Sequence, residues 1–99
     1  MAVSRPDGPV LGPHPQVAAR TIGGRTLILD PRSDALQRLN AVGSFIWDRI
    51  AERRFDRAGL LAAMLDEFDV DPAEAAVDLD ALLAEMRGRD LIAEIPQTT

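Results

Sequence analysis

The segment Leu39-Asn40-Ala41-Val42-Gly43-Ser44-Phe45-Ile46-Trp47 constrains the fold most. A short apolar run, Ala35 to Leu39, leads into Asn40. An Asn side chain there can accept from the free N–H groups of a first helical turn. Val42, Phe45, Ile46 and Ile50 then recur at helical spacing. The chain therefore passes from strand to helix at Asn40. That helix carries the single Trp. The residues before it read as a small sheet, and those after it read as helices that cover the sheet.

Ninety-nine residues make one domain with one modest core. The 46% apolar and 27% charged content fits a globular chain. No apolar run approaches the roughly 20 residues of a membrane helix. There is no apolar signal core near the N-terminus and no cysteine, which sets the expectation of a cytoplasmic protein. The net charge of −5 argues against bulk attraction to nucleic acid or an anionic membrane.

Met1 to Pro15 is rich in Pro and Gly and reads as a mobile arm. The domain plan is an arm over 1–12, a folded unit over 13–95 and a disordered tail over 96–99. Gln16 to Ile22 predicts a first strand, Gly23-Gly24 a hairpin turn, Arg25 to Asp30 the return strand and Ala35 to Leu39 a third. A first helix is expected over Ala41 to Arg53, with Ser44, Asp48 and Glu52 on its wet face. Asp56 caps a second helix, with Phe55 packing on Leu60. Asp71-Pro72-Ala73-Glu74 starts a third that runs to about Arg87, its apolar stripe formed by Ala76, Leu79, Leu83 and Met86. Asp90 to Ile95 is expected to pack extended on the core. The order βββααα predicts a winged-helix-like α+β domain.

Residues for catalysis are few. There is no Cys, Tyr or Lys, and the one His, His14, lies between prolines and reads as a solvated loop residue. The acidic run Asp66, Glu67, Asp69, Asp71, Glu74 fails the calcium-loop pattern, because Ala73 and Glu74 fall where an oxygen ligand and a glycine are needed. No metal and no cofactor are expected. Arg49, Arg53, Arg54 and Arg57 suit a helix C-terminus, or an anionic partner. A DNA-reading third helix is disfavoured, since it carries Glu74, Asp78, Asp80 and Glu85 against Arg87. The third strand comes last in the meander. As an edge it would offer unpaired backbone groups to an added peptide strand beside the third helix; patterning alone favours an edge that is covered or idle.

Several pieces in order resemble the PqqD family, small peptide-binding proteins of ribosomal-peptide maturation. They are His14-Pro15, Leu27-Ile28-Leu29-Asp30-Pro31, Leu39-Asn40 with Gly43 and Ile46-Trp47, Phe68-Asp69-Val70, Asp78-Leu79-Asp80-Ala81-Leu82-Leu83 and Leu91-Ile92. The chain departs from the family pattern at Glu52-Arg53-Arg54, where a Gly is usual, and at Gly59, where an acid is usual. The resemblance implies a non-catalytic chaperone that binds the leader of a precursor peptide and presents it to a modifying enzyme, often a radical-SAM enzyme. It implies a strand site at Ala35, Leu36, Gln37, Arg38 and Leu39 and a helix wall at Asp80, Leu83, Ala84 and Arg87. By their charge, Arg38 or Arg87 could pair with acidic leader residues, a pairing that raised salt would weaken. The alternatives are a winged-helix nucleic-acid binder and a docking subunit of a multi-protein enzyme. A free strand edge also leaves self-pairing into a homodimer open.

Overall fold

The computed structural model describes residues 8–96. Strands β1 (Val10–Pro13), β2 (Ala18–Ile22), β3 (Arg25–Asp30) and β4 (Ala35–Arg38) precede helices α1 (Ala41–Ala51), α2 (Arg57–Glu67) and α3 (Pro72–Gly88), and β5 (Ile92–Ile95) closes the order. The fold is α+β and winged-helix-like. Strands β2, β3 and β4 form the expected antiparallel meander. Gly23 and Gly24, at φ 60 and 78, make the two-residue turn whose twist matches its strands. Thr26, Ile28 and Asp30 alternate toward the helices and are buried.

The expected arm is corrected at its end: Val10–Pro13 is a strand, paired antiparallel with β5 from Val10↔Ile95 to Pro13↔Ile92. Gly12 permits this close approach, since a Cβ there would lie 2.5 Å from Ile95 Cδ1. Leu11 and Ile92 enter the core from this ribbon. The arm and tail expectations for residues 1–7 and 97–99 lie outside the described residues.

All three helix starts follow their caps. Asn40 and Asp56 each accept from the N–H three residues on, both at 2.8 Å. Asp71 accepts from Ala73 and Glu74. Phe55 packs against the core cluster that holds Leu60. Ser44 departs from the expected wet face: it is buried, and its hydroxyl accepts from the Thr26 N–H at 2.8 Å. An amide at a buried strand end needs a partner, and α1 supplies one. On α3 the buried stripe is Ala75, Leu79, Leu83 and Met86, with Ala75 in place of Ala76.

Helix α1 stops at Ala51, two residues short of expectation. Arg53 turns the chain at φ 62, with its N–H on Ile50 O. A left-handed residue after a helix favours glycine, because a Cβ crowds the following carbonyl. Arg53→Gly is therefore expected to stabilise the fold by roughly 0.5–1 kcal/mol, read as a higher denaturant midpoint at unchanged slope.

His14 is also not a free loop residue. Its ring nitrogen lies 3.0 Å from Arg32 Nη1. Arg32 donates to both oxygens of buried Asp30, at 2.8 and 2.9 Å, and to the Asp90 carbonyl at 2.8 Å. The guanidinium thus ties the β3–β4 turn to the α3–β5 turn. Hydrogen bonding from Arg32 holds the Asp30 carboxyl below its ordinary range, outweighing the opposing effect of desolvation. A depressed carboxylate contributes stability above its unfolded pKa, and loses it as pH falls through the folded value. Arg32→Ala should therefore destabilise the fold at pH 7, and the gap to wild type should narrow below about pH 4, checked by thermal melts across that range.

Candidate functional site

Strand β4 has β3 as its one neighbour, so its other side is a free edge among the described residues. The register pairs Leu27↔Arg38, Ile28↔Gln37, Leu29↔Leu36 and Asp30↔Ala35. The Leu39 N–H donates to Thr26 O just past the strand. Hydrogen bonding alternates along an antiparallel pair, so Gln37 turns its backbone groups to β3 while Leu36 and Arg38 turn theirs outward. Side chains alternate across the sheet: Gln37 and Leu39 lean toward the helices, and Leu36 and Arg38 toward the open face.

A groove runs between this edge and α3. Gln37, Arg38, Leu39, Asn40 and Gly43 form one wall, and Leu82, Glu85, Met86 and Arg89 form the other, with Leu91 between them. It continues past Gly43 and Leu82 to Val42 and Asp78. Toward the Arg32 cluster it meets Asp30, Ser33, Gln37, Arg89 and Leu91. Its lining is apolar at Leu39, Leu82, Met86 and Leu91, with Arg38 at one rim and the loose Arg89–Glu85 pair, 3.4 Å apart, at the other.

The expected strand residues open onto this groove or stand at its edge. Ala35 begins β4, Leu36 is exposed on the open face, and Gln37, Arg38 and Leu39 line the cleft. The helix wall is on a different face from the one expected. Asp80 receives Arg57 at 2.6 and 3.1 Å, toward α2. That bond holds the Asp80 carboxyl below its ordinary range. Leu83 is a core residue at 2% exposure, and Ala84 and Arg87 are exposed away from the groove. At 3.6 residues per turn, Asp80, Ala84 and Arg87 lie roughly 140–160° around the helix from Leu82, whereas Asp78, Glu85, Met86 and Arg89 lie within about 60° of it. The available signal was Leu82, a half-buried apolar residue beside the buried stripe.

The Arg group near the end of α1 is largely engaged. Arg49 and Arg54 meet Glu52 at 2.8 and 2.9 Å, and Arg57 meets Asp80. Arg54 also lies over the Phe55 ring. No helix among the described residues is long and apolar enough to cross a membrane.

The sequence from 25 to 92 matches the family model of coenzyme PQQ synthesis protein D, PqqD. The chain belongs to the PqqD family. The matched span runs from β3 to the first residue of β5 and so contains the β4 edge and both walls of the groove. No curated protein matches with significance. Among solved structures, this PqqD-family chain is similar to TbiB1 in complex with the TbiA(beta) leader peptide, with a TM-score of 0.78, 22% identity and coverage of 87% of this chain and 99% of that one. It is also similar to a lasso peptide synthetase B1 complexed with the leader peptide, with a TM-score of 0.74, 19% identity and coverage of 84% of this chain and 96% of that one. At these identities the likeness establishes a shared fold.

Proposed function

We propose that this chain binds the leader segment of a ribosomally made precursor peptide as an added strand on β4, and presents it to a modifying enzyme that performs the chemistry. The observation that carries this is the free β4 edge lying along an apolar groove walled by α3. Both similar structures were solved with leader peptides, which supports the same class of ligand here. The chain's own part is binding, with no catalytic step.

Magnitudes divide the work between backbone and side chains. Leu36 and Arg38 offer four outward backbone groups, and each hydrogen bond contributes about 1 kcal/mol net. Those bonds alone correspond to roughly millimolar affinity. A buried leucine-sized side chain adds about 2 kcal/mol. Two such leader residues between Leu39, Leu82, Met86 and Leu91 would bring affinity to the micromolar range. Backbone pairing therefore sets the direction and register of the leader, and the groove selects its sequence.

A pair of proline variants tests the strand geometry. In Leu36→Pro the lost N–H faces outward, so the fold should persist while leader affinity drops about tenfold below that of Leu36→Ala. In Gln37→Pro the lost N–H belongs to the β3 ladder, so stability itself should fall by about 3 kcal/mol or more. Equal leader affinity for Leu36→Pro and Leu36→Ala, measured by fluorescence anisotropy, would exclude strand addition.

A further inference from the structure

The open face of the meander breaks the usual alternation of an antiparallel sheet, in which residues facing solvent are polar. The register puts Ala18, Arg20 and Ile22 of β2, Arg25, Leu27 and Leu29 of β3, and Leu36 and Arg38 of β4 on one face. Leu29 is 45% exposed, Leu36 58% and Ile22 59%. Leu27, Leu29 and Leu36 meet across the strands beside Ala18 and Arg20. The three arginines make no ion pair among the described residues. No acidic side chain occupies this face among the described residues, although the chain carries a net charge of −5.

We propose that this face docks the modifying enzyme, through an apolar contact rimmed by acidic residues on the enzyme, and that a bound leader strand completes the surface. The proposal rests on the leader-binding reading. A strand added to β4 extends the same sheet, and alternate leader side chains would emerge on the open face next to Leu36 and Arg38. The enzyme would then touch the sheet and the leader together.

Size and charge select this occupant. Three strands about 4.8 Å apart and about 17 Å long present roughly 240 Å² of flat area. A stable complex needs about 800 Å² per partner. The face alone suits a weak contact, strengthened when the leader adds to it. A second copy is disfavoured because a two-fold contact would set Arg20, Arg25 and Arg38 against their own images. Nucleic acid and anionic lipid are disfavoured by the net negative charge.

The test measures affinity between the full chain and purified candidate modifying enzymes from the same genome, with and without the leader peptide that the chain binds. The variants are Arg20→Glu/Arg25→Glu and, to keep strand propensity, Leu29→Thr. Far-UV circular dichroism confirms folding. Both variants should bind leader within twofold of wild type, yet bind the enzyme at least tenfold more weakly when leader is present. For wild type, leader should raise enzyme affinity at least fivefold, and added salt should lower it. Unchanged enzyme affinity in both variants, or no enzyme binding by the leader-loaded wild type, overturns the docking face alone. Variants that instead lose self-association, or binding to phosphatidylglycerol vesicles or a DNA duplex, overturn it in favour of that occupant. A wild type that binds no leader overturns the leader-binding reading itself.

Discussion

Leu82→Asp is expected to weaken leader binding at least a hundredfold, about 3 kcal/mol, while the chain stays folded. Leu82 lies in both parts of the groove and faces the Leu39 and Gly43 wall. An aspartate there removes apolar contact area and places a carboxylate where a docking side chain would strip it of water. It also sets a third acid beside Asp78 and Glu85 on the same side of α3. Leu82 is half-buried and outside the fully buried stripe, so most of its cost should appear in binding. Titration of the labelled leader, with a thermal melt of the free variant, separates the two effects. An affinity within threefold of wild type would remove Leu82 from the site.

The second large effect falls on stability. Leu79 is fully buried on the neighbouring stripe of α3, in the cluster with Ile28 of the sheet and Ile46 and Ile50 of α1. Leu79→Ala should cost about 2–5 kcal/mol, the lost transfer energy plus the cavity left behind. Against the 5–15 kcal/mol typical of whole domains, this is a large share. Helix α3 is also the far wall of the groove, so leader binding should fall wherever the variant is partly unfolded. Urea titration should show a lower midpoint at an unchanged slope. A loss under 1 kcal/mol would mean that this cluster does not hold α3 on the sheet.

The contrast between Leu79 and Leu82 shows what the sequence could reveal. Features set by a few adjacent residues were legible: the caps at Asn40, Asp56 and Asp71, the Gly23-Gly24 turn, and the meander that leaves β4 at an edge. The β1–β5 ribbon was not, because it joins segments some eighty residues apart. Its Gly12 and Pro13 also carry the composition of a flexible arm, whereas Gly12 is there to let Ile95 approach. Ser44 looked like a surface residue because its partner, the Thr26 amide, lies on another element.

The groove wall was missed for a related reason. Periodicity located the buried stripe of α3 to within one residue. A helix has two flanks beside such a stripe, and its sequence does not say which flank meets the sheet edge. The packing of α2 against α3 decides it. Arg57 takes Asp80 on one flank, which leaves Leu82, Glu85 and Arg89 facing β4.

The most direct test of the central claim is an amide NMR titration of the labelled chain with leader segments of candidate precursors from the same genome. Strand addition in this groove predicts the largest shifts at Leu36 through Leu39, Gly43, Leu82, Glu85 and Arg89, with little change at Asp80, Ala84 and Arg87. Shifts confined to the Asp80, Ala84 and Arg87 face, or no shift on β4 with any leader, would contradict it.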